Sequence, residues 1–136
     1  MADLSITATA VVSALQPNVT TKAAGATITA GQTVYLDAAS NRWLLADCDG
    51  AAVAARTPAG IALNGGSIAQ PIAVKTTGDV TMNAVLTAGE AYFQSPVAGG
   101  IAPRADVLSG DLLVLIGFAK STTVLAVAIQ ASSIVL

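Results

Sequence analysis

The densest polar cluster in this 136-residue chain is Asp47-Cys48-Asp49-Gly50. Two carboxylates flanking one residue resemble the front of a calcium loop, where hard oxygen ligands alternate along an extended backbone. The twelfth position of such a loop needs a bidentate acid, and here it is Pro58. The cluster therefore reads as a solvated turn that leads into a short helix capped by Asp49. Cys48 offers a thiol, but a nucleophilic thiolate needs a base or a cationic setting. The chain has no histidine and both neighbours of Cys48 are acidic, which disfavours the thiolate. Cys48 reads as a packed thiol. Asp37, Asp79, Glu90, Asp106 and Asp111 could supply acid/base pairs, yet all but Glu90 sit at or beside turn signals, where Asp bonds the backbone locally. Asn64-Gly65-Gly66-Ser67 lacks the lysine and the following helix of a phosphate loop. The reading is a non-enzyme: no catalytic residues, no cofactor and no metal.

Composition narrows the classes further. The chain is 54% hydrophobic, 10% charged and 4% aromatic, with a formal charge of −2. Six Lys plus Arg against eight Asp plus Glu leave no basic footprint, so no nucleic-acid partner is expected. One cysteine makes neither an internal disulfide nor a Cys/His zinc cluster. There are 29 alanines but only five aromatics, Tyr35, Trp43, Tyr92, Phe93 and Phe118. Alanine buries little area per residue, at roughly 25 cal/mol per Å². A chain short of both core volume and solubilising charge gains by burying apolar surface between subunits, so an obligate oligomer is expected. Residues 112–136 are the most apolar, but Lys120-Ser121-Thr122-Thr123 divides them into runs too short to span a bilayer as a helix. No Lys or Arg precedes the first apolar residues, so the start lacks a secretory n-region. The expectation is a soluble protein made inside the cell, with no membrane partner.

The elements follow from periodicity. Leu4-Ser5-Ile6-Thr7-Ala8-Thr9-Ala10-Val11-Val12 alternates apolar and hydroxyl side chains, a period-two strand pattern. Thr27-Ile28-Thr29 and Thr33-Val34-Tyr35-Leu36 continue it around an Ala30-Gly31-Gln32 turn. Ile72–Thr76 and Val80–Met82 flank Thr77-Gly78-Asp79, which predicts a hairpin. Leu112–Ala119 and Val124–Ile129 flank Lys120–Thr123, which predicts another. Asp49–Arg56, with four alanines and a stop at Thr57-Pro58, predicts one short helix. Glycine or proline recurs about every ten residues, as in sandwiches and small barrels. The predicted fold class is all-β, a small β-barrel or β-sandwich.

An internal echo suggests pseudo-duplication. Thr29-Ala30-Gly31-Gln32 before Val34-Tyr35 resembles Thr87-Ala88-Gly89-Glu90 before Tyr92-Phe93, an offset of 58. Gly60-Ile61-Ala62 and Gly117-Phe118-Ala119 stand 57 apart. Chance similarity of Ala/Gly-rich text is the competing account. Residues 1–25 read as an extended N-terminal arm, set off by Gln16-Pro17-Asn18, and 26–136 as the barrel or sandwich domain. The arm either pairs with a neighbour's sheet edge or is the first strand of the same domain. Candidate interface residues are Leu4, Ile6, Val11 and Val12 in the arm, with Arg42 and Trp43, because Arg and Trp are enriched at binding hot spots. Trp43 equally suits the one bulky plug of an alanine-lined core.

The ordered segments Ala30-Gly31-Gln32-Thr33-Val34-Tyr35-Leu36, Pro58-Ala59-Gly60-Ile61-Ala62-Leu63-Asn64, Ala88-Gly89-Glu90-Ala91-Tyr92-Phe93, Gly99-Gly100-Ile101-Ala102-Pro103 and Leu115-Ile116-Gly117-Phe118-Ala119 resemble the small all-β virion proteins with which tailed bacteriophages decorate or cement their capsids. The resemblance spans roughly residues 25–130 and rests on order and style more than on any one motif. It implies a structural role on the outer capsid surface of the virion. There, homotrimers would clamp neighbouring copies of the major capsid protein at three-fold and quasi-three-fold junctions. The alternative is a phage fibre or tail component that attaches to the host surface, for which five aromatics are a poor endowment.

Overall fold

Alternation of apolar and hydroxyl side chains is realised as a strand at Thr33–Asp37, while Leu4–Ile6 form no strand and residues 7–11 lie outside the described residues. The structure is a computed structural model that describes residues 3–6, 12–13, 18–48, 53–82 and 86–136. Its strands are β1 (Val12–Ser13), β2 (Val19–Ala23), β3 (Thr33–Asp37), β4 (Arg42–Leu45), β5 (Gly60–Ala62), β6 (Pro71–Lys75), β7 (Thr77–Thr81), β8 (Ala91–Gln94), β9 (Ile101–Pro103), β10 (Leu112–Ala119) and β11 (Val124–Val135). Antiparallel pairing sorts them into two sheets packed as a β-sandwich, in the orders β2-β6-β5-β3-β4 and β1-β7-β11-β10-β8-β9. Of the two architectures expected, the barrel is not formed. A single parallel bridge, Ala24 to Trp43, brings the margins of the five-stranded sheet together at one point only.

Each half of the chain builds one sheet, and the two share a topology. Replacing β2, β6, β5, β3 and β4 by β7, β11, β10, β8 and β9 converts one strand order into the other, with β1 as the single addition. Register is also shared. Val34, Tyr35 and Leu36 face Leu45, Leu44 and Trp43 across β3–β4, as Tyr92, Phe93 and Gln94 face Pro103, Ala102 and Ile101 across β8–β9. Thr33 and Val34 face Ile61 and Gly60, as Ala91 and Tyr92 face Phe118 and Gly117. The echoed turns are bonded alike. Gly31 N–H donates to Ala62 O (2.8 Å) and Ala62 N–H to Gln32 O (2.9 Å); Gly89 N–H donates to Ala119 O (2.7 Å) and Ala119 N–H to Glu90 O (3.0 Å). Gly31 and Gly89 take φ of +93° and +84°, a left-handed conformation that favours glycine. The echo is a structural duplication.

Two local expectations need correction. Thr77-Gly78-Asp79 is not a hairpin: β6 and β7 lie in different sheets, and the chain crosses between them at Thr76. Gly78 sits inside β7 at φ +103°, where a Cβ would lie 3.2 Å from the Lys75 side chain. The glycine serves close approach instead of a turn. Thr27-Ile28-Thr29 is likewise no strand, Ile28 making only an isolated bridge to Gly66. Of the expected helix, Asp49, Gly50, Ala51 and Ala52 lie outside the described residues, and Val53–Arg56 form a 3₁₀ turn. A second such turn, Arg104–Asp106, follows β9. The Lys120–Thr123 connection does join a hairpin, β10 to β11.

Buried residues form two clusters, one within the first repeat and one centred on the second that also takes in Ala30 and Ile61 of the first. Ala24, Ile28, Val34, Trp43, Ala62 and Val74 in the first correspond to Met82, Leu86, Tyr92, Ile101, Ala119 and Leu125 in the second. Bulk is redistributed within this shared frame. The first repeat places its large ring at Trp43, while the second uses Tyr92 and Met82 and keeps Ile101 at the Trp43 position. Such exchanges keep a core filled at near-constant volume.

The repeats are joined through a buried amide. Gln94, at the position held by Leu36 in the first repeat, is fully buried. Its Nε2 donates to the carbonyls of Ala46 (2.9 Å), Gly100 (3.1 Å) and Ser95 (3.2 Å), and its Oε1 accepts from the hydroxyl of buried Thr33. Backbone bonds from Thr33 N–H to Gly99 O (3.0 Å) and Gly99 N–H to Ala46 O (2.7 Å) interlace the same loops. Gln94→Leu should destabilise the fold by about 2 kcal/mol in denaturant unfolding, although leucine is what the first repeat carries. The carbonyls keep backbone partners, but the Thr33 hydroxyl is orphaned in the interior.

Glycines at matching strand positions permit a second check. A Cβ on Gly60 would overlap the Lys75 carbonyl, and one on Gly117 the Ala126 carbonyl. Gly60→Ala and Gly117→Ala should each cost about 1–3 kcal/mol through overpacking against backbone. Gly89→Ala, which meets open space and only an unfavourable φ, should cost no more than about 1–2 kcal/mol. Unfolding midpoints of the three variants test this ranking.

Candidate functional site

The polar residues singled out by type are engaged in local structure. Asp47 opens a loop held by its N–H to Ala55 O (2.8 Å), while Asp49 and Gly50 lie outside the described residues. Cys48 is buried, its carbonyl accepting from Leu112 N–H (3.2 Å). Asp37 follows the turn pattern: its Oδ2 accepts from the Ser40 hydroxyl (2.7 Å) and N–H (3.3 Å). Asp111 accepts from Leu108 N–H (2.9 Å), and Asp79 pairs with Lys120 (2.8 Å) at the surface. Exposed ion pairs of that kind contribute little to stability. Asn64 pins its glycine loop to β6, with Oδ1 accepting from Ala73 N–H (2.7 Å) and Nδ2 donating to Pro71 O (3.0 Å). Among the described residues no group of three His, Cys, Asp or Glu side chains is placed to hold a metal.

The candidate interface residues divide between core and margin. Trp43 is 2% exposed and fills the first repeat's core, with Nε1 donating to Ile72 O (3.2 Å). The exposed-contact reading of Trp43 is thereby replaced by the core-plug reading. Arg42 lies at the start of β4, half-buried, opposite Asp37. Leu4 and Ile6 pack, partly buried, on the second repeat's core. Val12 begins β1, which pairs with β7 through Val12–Thr81 and Ser13–Val80. Val11 lies outside the described residues. Among the described side chains, Trp43 thus lies in the first cluster and Leu4 and Ile6 lie against the second.

What the fold presents instead is exposed apolar bulk. Val97 and Leu108, each about 60% exposed, line one groove with Pro96, Ala105, Asp3 and Asp106. Phe118, half exposed on β10, lines another with Pro58, Leu115 and Ile129. Ile68, Ile134 and Val135 are also exposed. These positions were not singled out in the sequence, because in a chain this apolar nothing marks which strand face is covered. Large exposed apolar side chains are a feature of interaction surfaces when they gather in patches. The chain matches no protein-family model and no curated protein.

The Ser40 contact makes Asp37 a local reporter. Hydrogen bonding from the Ser40 side chain holds the Asp37 carboxyl below its ordinary value. Its contribution to stability is therefore complete above the unfolded carboxylate range and is lost as pH falls through the lowered folded value. Carboxyl-resolved NMR titration should show this depressed midpoint, and Ser40→Ala should return it toward the ordinary range.

Proposed function

We propose that this chain is a non-enzymatic virion protein that decorates the capsid of a tailed bacteriophage and cements it. In this reading homotrimers bridge neighbouring major capsid proteins at three-fold and quasi-three-fold junctions on the outer surface. The observation that carries it is the combination of a duplicated β-sandwich with exposed apolar side chains in grooves, Val97 beside Leu108 in one and Phe118 in another. Such a surface suits association with other protein surfaces. The sequence resemblance supplies the partner. Many modest contacts repeated at every junction bind tightly through multivalency, with no single strong site required.

Imaging of particles assembled with and without the chain tests the proposal. Density at the capsomer junctions should be present with it and absent without it, and particles lacking it should rupture at lower temperature. Unchanged particles in the two preparations would count against the reading. Val97→Asp with Leu108→Asp should weaken particle binding at least tenfold while leaving the β-rich circular dichroism intact.

A further inference from the structure

The two repeats meet through unlike surfaces. The first repeat offers a seat formed by Ala30, Thr33, Ala46 and Ile61, all buried. The second repeat offers Gln94 and the 95–100 loop. The Thr33 hydroxyl donates to Gln94 Oε1 and Thr33 N–H to Gly99 O (3.0 Å). Ala46 O accepts from Gly99 N–H (2.7 Å) and from Gln94 Nε2 (2.9 Å). Ala30 and Ile61 complete the joint by joining the cluster centred on the second repeat.

Both surfaces recur in the duplicated frame, and there they are open. The four seat positions correspond to Ala88, Ala91, Arg104 and Phe118 in the second repeat. Ala88 and Arg104 are exposed, Ala91 is half-buried, and Phe118 is 48% exposed where Ile61 is fully buried. At the other end, Leu36 and the 37–42 turn of the first repeat correspond to Gln94 and the 95–100 loop. Asn41 and Gly99 hold matching places in these turns, with φ of +56° and +76°. Residues 38–41 are exposed.

The side chains on the two open surfaces differ from the internal pair in step with each other. Thr33 and Gln94 form a polar pair, whereas the corresponding positions hold Ala91 and Leu36, both apolar. Bringing these together buries no hydroxyl or amide that would need a partner. Gln32 and Gly100 line one groove, and the corresponding residues are Glu90 and Arg42, which are opposite in charge. Complementary charge of this kind fixes register and selects the partner.

We propose that the β3–β4 end of one copy of this chain seats on the Phe118 face of the next, repeating between molecules the joint that links the repeats within each. A second copy is the occupant because it carries the surface that this seat already receives once within the chain. The contact is heterologous, so it closes into a ring or continues as a filament. It goes beyond the capsid reading and requires no capsid.

The internal joint supplies the geometry of the test. A Cβ on Gly99 would lie 3.1 Å from the Cβ of Gln32, close enough for a disulfide after a small adjustment. The corresponding residues are Asn41 and Glu90. Asn41→Cys and Glu90→Cys are made in separate full-length chains, each with Cys48→Ser, and refolded under oxidising conditions alone and mixed. A non-reducing denaturing gel should show a covalent dimer in the mixture and in neither variant alone. Dimer in either variant alone, or in none of the three samples, overturns the proposal. Light scattering gives a measurement independent of disulfides. At micromolar concentration the wild-type chain should be an oligomer and Phe118→Asp a monomer with the same circular dichroism. A monomeric wild type, or a Phe118→Asp variant of undiminished mass, rejects it.

Discussion

The carboxamide of Gln94 is the interaction on which the two-repeat arrangement depends. The first repeat has its own apolar cluster, and the cluster centred on the second also takes in Ala30 and Ile61 of the first. Hydrophobic burial alone is non-directional and would let two such units slide on each other. A buried amide bonded to Thr33 and Ala46 of one repeat, and to Ser95 and Gly100 of the other, allows one relative placement. Any displacement strands polar atoms in a low-dielectric interior, where each costs about 1–3 kcal/mol. Specificity of assembly here comes from polar satisfaction, while its driving force comes from the cores on either side.

Small residues make that geometry feasible. Gly60 and Gly117 let neighbouring strand backbones approach more closely than any Cβ allows. Isoleucine, valine and leucine fill most of both cores, and the largest side chains, Trp43 in one and Tyr92 and Met82 in the other, take different positions of the shared frame. Not every large apolar group is used there. Val97, Leu108 and Phe118 stay substantially in solvent. A fold with this composition has its external surface and its interior built from similar material.

Much of this architecture was legible in the sequence because it is written in local rules. Period-two alternation located β3, the apolar runs flanking Lys120–Thr123 located β10 and the start of β11, and the Thr29 and Thr87 turns were recognisable from their glycines. The 58-residue echo anticipated the duplication, and the structure extends it from short motifs to strand register. The misreadings have physical causes. Thr77-Gly78-Asp79 has turn chemistry, but Gly78 answers to the buried Lys75 side chain, a long-range contact invisible in a local window. Trp43 suited core and surface equally until its neighbours were known. Gln94 carried no signal at all: its importance arises from loops that meet only in the folded chain. Leu4 and Ile6 belong to a run that reads as a strand, yet residues 3–6 form none, residues 7–11 lie outside the described residues, and only Val12 of the run is in a strand.

Because β2 to β6 form one sheet and β7 to β11 the body of the other, with Thr76 as the passage between them, synthesis and folding can proceed in the same direction for all but the short β1. β2 to β6 can assemble while β7 to β11 are still being made, a vectorial order that limits exposure of unpaired strands. The exception is the opening segment. Residues 3–6 precede both repeats in the chain, yet the margin that receives them includes Ile101 and does not exist until the second sheet is nearly complete. A segment made before the repeats thus finds its seat only after the strands that follow it.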